Sequence, residues 1–137
     1  MNDIALNKKV SIERCLQQVA KYDALDRGLS FEQDFLKQDA IAMNLQRACE
    51  LAIDLANHAI KVKKLGLPQD SRDSFELLKT AGTITPALCD ELKAIVGFRN
   101  VLVHDYRTID LDTVRTVVEQ HAKNLLTFAD ILVDFLA

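Results

Sequence analysis

Proline and glycine are scarce in this 137-residue chain, which has two prolines and four glycines. Pro68, Gly28, Gly66 and Gly82 fall between stretches of helical periodicity, so the breakers divide the chain into a few long helices. No strand-like alternation of apolar and polar residues competes with that pattern. Cysteine is equally sparse. Cys15, Cys49 and Cys89 are odd in number, widely spaced and form no C-x-x-C pair, which argues against a disulfide framework and against a cysteine zinc site. They read as small buried hydrophobes. No apolar run reaches about 18 residues, as a membrane-spanning helix requires. The segment Met1 to Lys9 lacks the apolar core of a secretory signal. No membrane association and a cytoplasmic location are expected. Charge of one sign is also lacking. With 17 Lys and Arg against 20 Asp and Glu, the net charge is −3, so the chain as a whole does not attract nucleic acid and any RNA contact must be local. There are no internal repeats and no low-complexity tracts.

What is present is apolar residue at helical spacing. Hydrophobic residues make up 49% of the chain, enough for one packed core, and a single domain over residues 1–137 is expected. A first helix is predicted from Asp3 to Ala24, with Val10, Leu16, Val19 and Ala20 as apolar positions. A second is predicted after Ser30, where Ser30 to Gln33 fits a capping box, and runs to about Leu65. Leu45, Cys49, Ala52, Ala56, Ala59 and Ile60 form a stripe of mostly small residues that lets another helix approach closely. Gly66 and Pro68 would stop it. A short helix from Arg72 to Ala81 follows, closed by Gly82. Thr85 and Pro86 then mark a clear start, with threonine as cap and proline in the first turn. The last helix begins near Asp110 and repeats Leu111, Val114, Val118, His121, Leu125, Phe128, Leu132 and Phe135 at 3-4 spacing. The fold class is all-α, an antiparallel bundle of about five helices.

Chemistry is concentrated between Phe98 and Tyr106, where Arg99, Asn100, His104 and Tyr106 stand among apolar residues. On a continuous helix, Arg99 and His104 lie about 140° apart, whereas Asn100 and His104 share a face. Convergence therefore requires Arg99 to reach around, or the helix to end and Tyr106 to leave its path. Arginine suits the non-bridging oxygens of a phosphodiester, and histidine exchanges protons near neutrality. RNA carries its own nucleophile, the 2′-hydroxyl, so a base, an acid and a stabiliser of charge can suffice without metal. One histidine does not obviously serve as both base and acid. A two-fold homodimer would solve this by placing two copies of Arg99 and His104 around one cleft.

Spacing alone also fits a structural role. Arg and His in the last turn of a helix interact favourably with its C-terminal partial charge, and Asp105 could pair with Arg99 or Arg107. Metal binding is weaker still, because His104 lacks a second histidine at ligand spacing. His58 reads as an ordinary surface or packing histidine, and His121 as a partly buried residue of the last helix's apolar stripe. Lys93, Arg99 and Arg107 against Asp105 leave two excess positive charges in an otherwise acidic chain, consistent with a small RNA contact whose binding weakens with salt.

The stretch Arg99-Asn100-Val101-Leu102-Val103-His104-Asp105-Tyr106 resembles the R-N-x-x-x-H-x-Y signature of HEPN-domain ribonucleases of the HepT-like toxin family. The flanks Ser74 to Leu78, Ala81-Gly82, Gly97-Phe98 and Ile109-Asp110 resemble that family too. The resemblance implies a HEPN bundle acting as a ribonuclease toxin. Arg99 would hold the scissile phosphate, His104 would transfer protons, and Asn100 would position phosphate or imidazole. It implies as partner a small nucleotidyltransferase antitoxin that transfers AMP from ATP to Tyr106 and so silences the toxin by added charge and bulk. Neither cofactor nor metal is implied. Two rival classes are a non-catalytic HEPN subunit that binds nucleotide or substrate for a nucleotidyltransferase, and an interaction module whose motif is structural. Tyr106 discriminates, since a phenol two residues past the histidine has no need to be there for packing alone.

Overall fold

The computed structural model describes residues 2–137, the side chain of Arg107 excepted, so Met1 of the expected domain lies outside it. The described elements are helices α1 (Asp3–Asp23), α2 (Phe35–Lys63), α3 (Ser71–Thr80), α4 (Pro86–His104), α5 (Leu111–Thr116) and α6 (Lys123–Phe135). A 3-10 turn, Tyr106–Thr108, follows α4, and a π turn, Val117–His121, joins α5 to α6. No strand occurs among the described residues. The all-α expectation holds, with the last rod of the bundle built from α5, the π turn and α6 in series.

The helix starts are set by short polar side chains that satisfy backbone donors left open in a first turn. Asn2 Oδ1 accepts from Ala5 N at 3.0 Å, Asp70 Oδ1 from Asp73 N at 2.8 Å, and Thr85 Oγ1 from Leu88 N at 3.1 Å. The Thr85-Pro86 start is as expected. The capping box at Ser30 is not. Asp34 caps α2 instead, its Oδ1 accepting from Lys37 N at 3.1 Å, while the amides of Gln33 and Asp34 both donate to the Ser30 carbonyl in a preceding turn. The reason is Phe31, which the turn folds into the core. Gln38 Nε2 locks that turn with a 2.7 Å bond to the Phe31 carbonyl.

The end of α2 also differs from expectation. Lys64, two residues ahead of Gly66, already adopts the left-handed conformation, with φ 54° and ψ 50°, and Leu65 N closes the helix onto the Ile60 carbonyl at 3.0 Å; Gly66 follows with its own positive φ of 131°. Turning there packs Leu65 against the core. At the close of α3 the glycine does take the left-handed position, Gly82 having φ 77°.

Helix α2 is the central rod and touches α1, α3, α4 and α6. Its small-residue stripe is fully inside: Leu45, Cys49, Ala52, Ala56, Ala59 and Ile60 are all buried. The larger core cluster joins this stripe from Cys49 onward to Phe75, Leu78, Leu92, Leu125, Phe128 and Leu132, with Phe75 and Phe128 edge to face at 5.4 Å. A second cluster lies toward the other end and contains Ile41 and Leu45 of α2, Phe98 and Leu102 of α4, and Val114 and Val117. In α1 the buried positions are Ala5, Ile12, Cys15 and Val19, and Val10 points outward with 54% of its surface exposed.

The 3-4 repeat expected for the last helix is broken at the π turn, where Ala122 N bonds to the Val117 carbonyl at 2.8 Å. One extra residue there rotates the helix locally, so that Val117 and Ala122 take the buried places expected of Val118 and His121, while Val114, Leu125, Phe128 and Leu132 are buried as expected and Ala129 and Leu136 join them. His121 is thereby moved off the core stripe. It lies at the rim, its Nδ1 2.8 Å from Glu91 Oε2. No described helix is long and apolar enough to cross a membrane.

Two expected outcomes follow from this packing. Phe128→Ala should cost about 3–5 kcal/mol in urea unfolding, because a fully enclosed ring is lost and its partner Phe75 keeps no edge contact. Glu76 bridges α3 to α4 through Lys93 and also bonds Lys79 at 2.9 Å; the hydrogen bonds from Lys93 and Lys79 pull its carboxyl from 4.5 down to about 2. A lowered carboxyl pKa gives stability that is present above the unfolded value and lost as pH falls through the folded one. Acid titration by helical circular dichroism should therefore show Glu76→Gln losing part of the wild type's pH dependence between pH 4.5 and about 2.

Candidate active site

Helix α4 continues to His104 before it stops, and that continuity decides where each motif side chain goes. Phe98 and Leu102 turn inward and are buried in the second core cluster. Asn100 and His104, one turn apart, are exposed, with Val101 and Val103 also outward at 40% and 43% exposure. Asp105 leaves the helical path at φ −134°, its amide still bonded to the Val101 carbonyl at 2.8 Å. Tyr106 then opens the 3-10 turn, which Thr108 ties to the Asp105 carbonyl through its amide at 2.9 Å and its hydroxyl at 3.0 Å.

Arg99 is half-buried on another side of α4. Its Nη2 lies 3.5 Å from Ser71 Oγ at the start of α3, a contact at the limit of hydrogen-bond length. Its Nε is shut away from solvent and finds no hydrogen-bond acceptor among the described residues. The guanidinium also lies near Cys49, whose thiol burial pushes up to about 12 against the opposing pull of Arg99. All three cysteines are free and buried, and burial raises each of them, so none is an activated thiolate.

Within one chain, then, Asn100 and His104 share an exposed strip and Arg99 does not join them. No hydrogen bond links Arg99, Asn100 and His104 to one another among the described residues. Nor does Asp105 pair with Arg99, and the expected alternative, Arg107, has its side chain outside the described residues. The basic island also changes in content. Lys93 is engaged by Glu76, which neutralises it, whereas Arg72, not singled out in the sequence, lies against α4. A Cβ built on Gly97 would come within 2.9 Å of Arg72 Nη2, so the missing side chain at Gly97 is what lets this second guanidinium lie close to the helix two residues before Arg99. Ser71, Arg72 and Arg99 form a polar group at the α3–α4 junction.

On its other side Tyr106 reaches α2, its hydroxyl donating to Asp39 Oδ1. Burial first, and then the Asp39 carboxylate, push the phenol up to about 12, so it stays protonated at neutral pH. Two open hollows meet at this pair, with volumes of about 430 and 400 Å³. Glu32, Phe35 and Ile109 line one, and Met43, Gln46 and Leu102 the other. Asp39 was not legible as a site residue: it stands 67 residues before Tyr106 as an ordinary exposed acid of a helix. The remaining histidines stay apart from the site. His58 Nε2 is 3.2 Å from Asn2 Oδ1, and His121 pairs with Glu91. No group of three or more His, Cys, Asp or Glu able to hold a metal ion occurs among the described residues.

An all-α bundle that ends one helix in an exposed histidine strip, with an arginine on its flank and a tyrosine in the following turn, defines a HEPN-type helical protein. A Shewanella oneidensis HEPN toxin, solved in tri-AMPylated form in complex with an MNT antitoxin, superposes with a TM-score of 0.90 at 45% identity, covering 98% of this chain and 99% of that one. Within that class the chain belongs to the HepT-like ribonuclease family, whose model, described as Ribonuclease HepT-like, matches residues 12–132. The mRNA nuclease HepT of Shewanella oneidensis is 46% identical over 132 residues, which cover 96% of this chain and 98% of the relative. A tRNA nuclease HepT of Aphanizomenon flos-aquae is 32% identical over 102 residues, 72% of this chain and 67% of that one.

The Gly97 contact generates a prediction of unusual sign. Gly97→Ala forces only the far end of a flexible side chain to move, while alanine favours the helix by about 0.5–1 kcal/mol. Urea unfolding should show stability unchanged or slightly raised. A loss of more than about 1 kcal/mol would show that Arg72 is held too firmly to give.

Proposed function

We propose that this chain is a metal-independent endoribonuclease toxin that cuts RNA with Arg99, Asn100 and His104 and is silenced when a nucleotidyltransferase antitoxin moves AMP from ATP onto Tyr106. The observation that carries the reading is the end of α4, where the backbone delivers His104 to solvent and at once turns to present Tyr106 beside it. A phenol so placed is within reach of a modifying protein, and an adenylate on it would crowd the His104 strip with bulk and negative charge. The relatives support RNA as substrate and an antitoxin as partner: two are named as nucleases of mRNA and tRNA, and a solved relative is AMPylated and bound to an MNT antitoxin.

RNA cleavage needs no metal when the 2′-hydroxyl is the nucleophile. His104 takes the 2′-hydroxyl proton, the 2′-oxygen bonds to phosphorus, the bond from phosphorus to the 5′-oxygen breaks, and a second histidine protonates the leaving oxygen. Arg99 stabilises the charge on the non-bridging oxygens. Asn100, one turn before His104, orients the phosphate or the imidazole. A single chain holds Arg99 and His104 on different sides of α4, so the cleft is completed by a second copy that brings its own Arg99 and His104. Outward apolar residues near the motif, Val101, Val103 and Met43, suit such a homodimer contact. The core joins α1 through α6, which supports the whole chain acting as one domain. Its working place is the cytoplasm, where RNA and ATP meet.

The test is RNA cleavage by purified, unmodified protein in EDTA. Wild type should cut, Arg99→Ala should be slower by about 100- to 1,000-fold, and His104→Ala should be inactive. Incubation with ATP and the antitoxin should abolish cleavage by wild type but not by Tyr106→Phe. If wild type cuts no RNA that His104→Ala spares, yet binds nucleotide or RNA, the chain is instead a non-catalytic subunit serving the nucleotidyltransferase.

A further inference from the structure

For AMP transfer to occur, the Tyr106 hydroxyl must lose a proton that the phenol holds firmly at neutral pH. One described side chain is bonded to that hydroxyl, Asp39 of α2. Position 39 lies in the second turn of a capped helix, whose backbone is fixed by the Asp34 cap and by Ile41 and Ala42 packed in the core, so the backbone that carries the carboxylate is held in place. Glu32 lines the neighbouring hollow, but the hydrogen bond of the phenol goes to Asp39. The open hollows on either side leave room for a nucleotide to approach the oxygen; their volumes fall within the range of small-molecule sites, about 300–1,000 Å³.

We infer that Asp39 is the proton acceptor in the modification of Tyr106, so that the base is supplied by the chain being modified and not by the transferase. The inference rests on the reading of Tyr106 as the AMP acceptor. Tyr106 Oη attacks the α-phosphorus of ATP, the Oη–phosphorus bond forms as the bond between the α-phosphorus and the bridging oxygen breaks, and pyrophosphate leaves. The phenolic proton passes to Asp39 Oδ1 and from there to water. An aspartate that takes the proton of an attacking hydroxyl is a recurring part of phosphoryl transfer, in which the enzyme supplies it; here it belongs to the protein substrate. After transfer Oη has no proton to donate, and the Asp39 carboxylate faces a phosphodiester. Like charges then drive the modified Tyr106 off α2, which leaves the adenylate free to cover the His104 strip.

The experiment follows the first adenylate by intact mass, with full-length chain, the antitoxin and varied ATP, for wild type, Asp39→Asn, Asp39→Glu and Tyr106→Phe. Asp39→Asn keeps the size of the side chain at an exposed position, and circular dichroism with antitoxin binding checks that the fold is kept. A general base contributes about 100- to 10,000-fold, so kcat for Asp39→Asn should fall at least about 100-fold while KM for ATP is unchanged, with partial recovery in Asp39→Glu. Modification of Asp39→Asn at the wild-type rate would overturn the inference and assign the base to the transferase. A rise in KM with kcat intact would also overturn it, by making Asp39 a docking contact. If Tyr106→Phe is modified as readily as wild type, or wild type takes no adenylate, the reading of Tyr106 itself fails and the inference falls with it.

Discussion

The site depends on the burial of two side chains, Phe98 and Leu102, at the end of α4. By packing against Ile41 and Leu45 of α2 they hold the helix to its last turn, and helical geometry then dictates every other direction. Asn100, Val101, Val103 and His104 are turned outward because those two are turned inward. Arg99 is sent toward α2 and α3, where it nears Cys49 and Ser71. The same constraint that gives His104 a fixed platform thus keeps it away from Arg99 in the same chain, and a symmetric pair of copies becomes the natural way to unite the two.

Two electrical environments result at one helix end. On the α3 side, two guanidinium groups, Arg99 and Arg72, gather near Ser71, the first with a buried Nε that has no partner among the described residues and the second laid over Gly97. On the α2 side the Tyr106 phenol meets the carboxylate of Asp39. The first offers positive charge to a phosphate, and the second sets a proton acceptor beside a hydroxyl. Phosphate chemistry on RNA and nucleotide chemistry on the tyrosine can therefore be served by neighbouring parts of one surface without sharing the same groups.

Much of this was legible residue by residue. Thr85-Pro86 read correctly as a helix start because its signal is local, a side-chain oxygen within one turn of the amide it caps. The small-residue stripe of α2 read correctly because periodicity reports burial on a straight helix. The failures have equally physical causes. Ser30 and Asp34 are both able caps, and the burial of Phe31, a distant packing event, chose between them. Lys64 took the left-handed cap two residues before Gly66, which has a positive φ of its own, because Leu65 turns toward the core. The π turn at Val117–His121 buries Val117 and Ala122 in place of Val118 and His121, a local change that a 3-4 template cannot register, and it put His121 at the rim beside Glu91.

The amino-acid sequence by itself determined the all-α class and the order of the helices, because propensity, caps and spacing are short-range properties of the chain, and it carried the Arg99, Asn100, His104 and Tyr106 cluster on which the family resemblance rests. Only the tertiary structure decided which of those groups stand together. Asp39 meets Tyr106, Arg72 lies on Gly97, Glu76 removes Lys93 from the free positive charge, and Arg99 parts from His104. Each of these depends on how helices distant in the chain are rotated and pressed against α2 and α4, and rotation is set by the whole core at once rather than by any local run of residues.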